Sequence, residues 1–165
     1  MPQKVSFEHF LDRFPVTELP LTIGEETVRA ISKELPPLNP RIIEEYILPL
    51  EEGKVNDEFT EFVACFQLPP QENFIGLVYW RADLLQYHYV LVTLDSKTGE
   101  LIDRNIIAGT SYDGGELTQS SAAITDELTV YVVSGQGHGE DYDYSAAGST
   151  ASRFQISEQG KILEI

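Results

Sequence analysis

One run of ten residues, Gly135-Gln136-Gly137-His138-Gly139-Glu140-Asp141-Tyr142-Asp143-Tyr144, gathers the groups most able to do chemistry. Its three glycines suggest a phosphate cradle. The run lacks the sixth-position glycine of a dinucleotide fingerprint and the Gly-Lys-Ser/Thr of a P-loop, and its carboxylates repel phosphate. As metal ligands, Glu140, Asp141 and Asp143 offer hard oxygens suited to calcium, and His138 suits a transition metal. Their spacing matches no recognised metal loop. A third reading is a protein-contact loop anchored by Tyr142 and Tyr144. The partner-binding set expected from sequence is therefore His138, Glu140, Asp141, Tyr142, Asp143 and Tyr144, joined by Trp80. No metal site and no cofactor are expected.

Nothing else in the chain reads as a catalytic centre. There is no Gly-x-Ser-x-Gly elbow. His9, His88 and His138 lie far apart, and adjacent carboxylates such as Glu25-Glu26 or Asp57-Glu58 are common in so acidic a chain. The lone cysteine, Cys65, sits in the apolar run Phe62-Val63-Ala64-Cys65-Phe66, which predicts a buried, inert thiol and excludes an internal disulfide. Phe74, Tyr79, Trp80, Tyr87 and Tyr89 form an aromatic cluster that builds core or offers a platform for carbohydrate or peptide. Arg81 follows Trp80 where the chain turns polar, which places the indole half-exposed at a sheet rim.

Charge narrows the partners. Lys+Arg number 11 against 27 Asp+Glu, a formal charge of -16. No lysine or arginine lies between Arg104 and Arg153, whereas Asp113, Glu116, Asp126, Glu127, Glu140, Asp141 and Asp143 do. Such a surface disfavours nucleic acid and anionic membranes and fits a partner that is basic, a metal ion or neutral. With 42% hydrophobic residues the chain can bury a core, and its 165 residues predict one domain, 1–165. No apolar run approaches the roughly 18 residues of a membrane span. If Met1 is the natural start the chain is expected in the cytoplasm; if an export signal preceded it, outside.

The elements that position these residues follow from hydrophobic period. Phe7, Phe10, Leu11 and Phe14 share one helical face, with Ser6 as cap and Pro15 as stop. Leu19 to Ile23 predicts a short edge strand and Thr27 to Leu35 a second helix. Asn39-Pro40 caps a third helix whose stripe is Ile42, Ile43, Tyr46 and Ile47. After about residue 58 the period becomes 2. Strands are predicted at Phe59–Leu68, Phe74–Trp80, Gln86–Leu94 and Leu101–Ala108, with hairpins at Asp126-Glu127 and at Ser157–Gly160. Both faces of Gln86–Leu94 are apolar, which predicts a central strand or a sheet covered on both sides. Gly109–Ser121 and Gly135–Thr150 read as long polar insertions.

Helices first and strands later predict an α+β fold, with N-terminal helices packed on an antiparallel β-meander or a partly closed barrel. The opening Phe7-x-x-Phe10-Leu11-x-x-Phe14-Pro15 with Leu19-Pro20-Leu21, and the closing hairpin Phe154–Ile165, resemble bacterial proteins of unknown function built on a β-meander. That resemblance implies a fold and no catalytic residue. The expected function is a non-enzymatic acidic protein-binding domain, in concrete form an immunity-type or inhibitor protein neutralising a basic partner. An extracytoplasmic module binding peptide, carbohydrate or calcium is the second expectation, and an enzyme of unrecognised type the third.

Overall fold

The computed structural model describes residues 6–34, 38–51, 60–84, 86–113, 116–138 and 149–165. It is mostly antiparallel sheet with a few short helices. α1 spans Phe7–Leu11, and the Ser6 side chain accepts from the His9 amide at its N-terminus. β1 spans Leu21–Ile23 and α2 spans Thr27–Glu34. α3 is one turn, Pro40–Ile42, capped by Asn39, whose side chain accepts from the Arg41 amide at 2.8 Å. The helix then widens into a π-helical turn, Ile43–Ile47, and tightens into a 3-10 turn, Leu48–Glu51, that carries it past Pro49.

The strands run in sequence order: β2 Glu61–Gln67, β3 Phe74–Ala82, β4 Gln86–Asp95, β5 Leu101–Asp113, β6 Glu116–Ile124, β7 Thr129–His138, β8 Ser149–Ile156 and β9 Ile162–Glu164. Each pairs antiparallel with the next, and β1 adds to β6. The sheet is open, so the partly closed barrel is not formed. Both of its edges are blunted instead. The end of β2 is covered by a parallel bridge, Val16 to Gln67, and β9 is three residues long.

The first expected insertion, Gly109–Ser121, is strand along most of its length, and the described ends of the second are strand. β5 continues to Asp113 and β6 begins at Glu116, and β7 runs through Gly135–His138. These stretches are Ser-, Thr- and Gln-rich, so they show no apolar alternation; backbone pairing alone defines them, as in Thr110↔Gln119 and Ser111↔Thr118.

The meander folds over on itself because β6 changes partner. Its first half pairs with β5 from Gly109↔Ser120 to Asp113↔Glu116, and its second half with β1 from Ile23↔Ala122 to Leu21↔Ile124. β5 before Gly109 stays with β4. The sheet thus divides into a β2–β5 wing and a β1, β6–β9 wing, joined through β5 and β6. Between the wings lies one core, including Cys65, Val78, Tyr89, Leu91, Ile107, Ile124, Val130 and Ile156. A second core joins Leu77, Tyr79, Val90 and Val92, on the other side of the first wing, to Phe10, Phe14, Ile42, Ile47 and Leu50. β4 is covered on both faces, as its sequence requires. The helices do not all share one face, however. Ile31 of α2 belongs to the core between the wings.

The far end of the fold is closed by the β8–β9 turn. Thr93 donates to the Gly160 carbonyl at 2.6 Å, and the Ile162 amide donates to Asp103 at 2.8 Å. Among the described residues no layer covers the outer face of the second wing. Tyr131, Val133, Leu163 and Ile165 lie on it and are 43%, 54%, 52% and 59% exposed.

Candidate functional site

Three places in the molecule assemble groups with chemical potential: a buried ionic cluster, a cleft beside β6, and the bare outer face of the second wing.

The ionic cluster forms around Glu51 at the end of the 3-10 turn. Its carboxylate is 1% exposed. It accepts from the Tyr79 hydroxyl, from Arg81 at 2.5 Å and from Arg104 at 2.7 Å. Arg81 also pairs with Asp83 at 3.2 Å and lies 5.8 Å over the Phe62 ring. Burial pushes the Glu51 carboxyl up, but hydrogen bonds from Tyr79, Arg81 and Arg104 outweigh it and hold it below the usual carboxylate range. Burial and the facing Glu51 carboxylate raise Tyr79. Every strong group here is engaged by another of the cluster, which ties the helical segment to β3 and β5. This is a fastening, not a ligand site.

The cleft lies where β6 changes partner, between the end of β1 and Gly109 of β5. Its volume is about 360 Å3. Tyr87, Thr110, Gln119, Ser120, Ser121 and Ser134 line it, with the Tyr89 ring as one wall. Thr110 donates to the Tyr87 hydroxyl at 2.8 Å, and the Ser120 and Ser134 hydroxyls are 2.7 Å apart. Tyr89 is already committed, since its oxygen accepts from the Val28 amide and its proton goes to the Gly24 carbonyl. Glu25 is the one ionisable carboxylate of the lining, and no Lys, Arg, His or Cys joins it among the described residues.

Of the residues singled out in the sequence, Glu140, Asp141, Tyr142, Asp143 and Tyr144 lie outside the described residues. His138 ends β7, its backbone registered with Glu116. Trp80 is half-buried, packs on the core between the wings and sits 5.8 Å from the Tyr87 ring. Among the described residues its buried indole Nε1 has no hydrogen-bond partner. Trp80 and His138 are therefore on different wings. Among the described residues no group of three or more His, Cys, Asp or Glu is placed to hold a metal ion, and no helix is long and apolar enough to cross a membrane.

Cys65 is fully buried, and burial pushes its thiol far up. The thiolate is the reactive form, so native protein is expected to resist a thiol-reactive chromogenic disulfide until it unfolds. Release of the chromophore at the same rate in buffer and in denaturant would refute this.

The fold and these three places describe an open, folded-over antiparallel sheet with a hydroxyl-lined cleft and one bare face. No family model, no curated protein and no solved structure matches the chain.

Proposed function

We propose that the chain is a non-enzymatic binding domain whose bare outer face docks a basic protein. One observation carries this reading: a chain of charge -16 leaves Tyr131, Val133, Leu163 and Ile165 exposed together on one sheet face. The registers Tyr131↔Arg153 and Gln155↔Leu163 make the face continuous across β7, β8 and β9. Apolar side chains at the centre of such a face supply burial, and an acidic surround supplies steering.

The surround is acidic. Asp126 and Glu127 at the β6–β7 turn, Glu158 at the β8–β9 turn and Glu164 on β9 are exposed, against Arg153 and Lys161. The β7–β8 connection adds Glu140, Asp141 and Asp143 in sequence. A second copy of the same chain is disfavoured as occupant, because two bodies each of charge -16 repel. A basic toxin or nuclease neutralised by an immunity-type protein has the required chemistry.

The test needs the partner isolated on the native chain and its association and dissociation measured separately. Tyr131→Ala is expected to speed dissociation about tenfold or more, as loss of a central aromatic anchor does. Replacing Asp126 and Glu127 with their amides is expected to slow association at low ionic strength and leave dissociation nearly unchanged. An acidic partner, or a basic one indifferent to Tyr131→Ala and Val133→Ser, would remove this reading.

A further inference from the structure

We infer that the cleft beside β6 is a binding site for a small neutral saccharide, adjoining the outer-face docking surface at Val133. The inference starts from how the cleft is made. The hydrogen-bonded partner of β6 passes from Gly109, opposite Ser120, to Ile23, opposite Ala122. Ser121 stands at the gap between them, and β1 and β5 diverge on either side. The opening is therefore part of the strand pairing and does not depend on a side-chain rotamer.

Size and wall chemistry then select the ligand. About 360 Å3 lies at the lower end of ligand pockets, which run from about 300 to 1,000 Å3. That suits one or two sugar rings, not a long chain. The lining offers hydroxyl and amide groups with unused capacity. Tyr87 accepts from Thr110, which leaves its own proton to donate. The Ser120–Ser134 pair shares one proton and keeps another. The Gln119 amide and the Ser121 hydroxyl make no side-chain hydrogen bond to any described residue, and both border the cleft. Tyr87 adds aromatic surface against which the C–H face of a pyranose packs. A sugar offers this same mixture: hydroxyls that both donate and accept, and an apolar face.

Charge excludes the nearest rivals. The described lining carries no cation to hold a phosphate, carboxylate or sulfate, and Glu25 repels them. Among the described residues the Ser120 and Ser134 hydroxyls bond to each other and neither is bonded to a histidine or carboxylate, so neither is set up as a nucleophile.

The adjoining hollow supports an extended site. It holds about 170 Å3, shares Gly109, Thr110, Ser120 and Ser134 with the cleft, and adds His88 to the wall. A disaccharide could place one ring in each, with the shared hydroxyls between them.

The experiment is ligand-observed saturation-transfer NMR on the full chain. The probes are glucose, galactose, mannose, N-acetylglucosamine, maltose and lactose at millimolar concentration, with a calorimetric titration for any that bind. At least one neutral sugar is expected to bind. Its 6-phosphate or uronate is expected to bind about tenfold weaker or not at all. Ser121→Trp, at the exposed mouth, is expected to abolish binding by filling the gap. Thr110→Val, which removes one hydroxyl, is expected to weaken it about tenfold. Both variants are checked against the wild-type amide spectrum, and Thr110→Val serves alone if Ser121→Trp disturbs the sheet. No transfer to any of the six sugars overturns the inference, as does undiminished binding by a correctly folded Ser121→Trp. Tighter binding of the charged analogue overturns the argument from charge. Tyr131→Ala should leave sugar binding intact, so failure here and failure of the outer-face reading are separable.

Discussion

Glu51→Gln is expected to cost about 3–5 kcal/mol of stability at neutral pH, the usual result of removing one partner of a buried ion pair. Glu51 is 1% exposed and its side chain receives Arg81 and Arg104, themselves 5% and 13% exposed. The neutral amide is the same size as the carboxylate, so no cavity forms. What is lost is the counter-charge. Arg81 keeps Asp83, but Arg104 is left buried with its Nε already lacking a hydrogen-bond partner. The amide also presents an NH2 where one of the three donors now points. Urea titration would read the change as a lower midpoint with an unchanged slope. A loss under about 1 kcal/mol would mean that the cluster is not closed to solvent.

The same pair of proteins yields a pH test. The folded-state pKa of Glu51 is depressed, so its contribution is present above the unfolded carboxylate value, near 4.3, and lost as pH falls through the folded value. The gap in stability between wild type and Glu51→Gln should therefore be full at pH 7 and shrink on acidification below roughly pH 4. Comparison with the variant matters. Acid also relieves the self-repulsion of a chain of charge -16, and that term is common to both proteins and cancels in the difference.

Glu51 also shows where sequence reading stops. It lies in an acidic stretch, Glu51-Glu52, that reads as solvated surface. The residues that bury it stand 30 and 53 positions away, on β3 and β5. Their approach is a property of the folded sheet. Other features were legible because their causes are local. Asn39-Pro40 announces its cap, and the change of period near residue 58 separates the helical part from the sheet. The turns at Asp126-Glu127 and at Ser157–Gly160 stand where their residues place them.

The cleft was hidden for a different reason. Thr110, Ser111, Thr118, Gln119, Ser120 and Ser121 bury little apolar surface, so they leave no period-2 trace and read as loop. They are strand because β4, β5, β6 and β7 offer them a ladder. Polar strand sequence is therefore ambiguous between an insertion and a wall. The partner switch of β6 that opens the gap is non-local and has no sequence signature. The bare outer face was equally invisible, since alternation shows that a strand has two unlike faces but not which one another layer covers.

Gly109→Ala is expected to cost about 3 kcal/mol or more, and Gly24→Ala close to nothing, although both glycines border the cleft. Gly109 has φ +146°, a conformation that side chains rarely adopt. A Cβ there would fall 2.2 Å from the Tyr87 carbonyl oxygen and 2.9 Å from the His88 Cα. Both obstacles are backbone of the neighbouring strand, so no rotamer change makes room. Relief requires β5 to move away from β4 where His88↔Gly109 and Tyr87↔Thr110 pair. That movement would also pull Thr110 from the Tyr87 hydroxyl. At Gly24, by contrast, a methyl meets nothing within 4 Å. The paired comparison holds cleft membership constant and varies only backbone geometry. Urea midpoints and amide exchange of β4 and β5 would read it, and exchange should quicken around Tyr87 and Thr110 in Gly109→Ala alone. If Gly109→Ala were as stable as Gly24→Ala, β5 could not approach β4 this closely at the His88↔Gly109 pair.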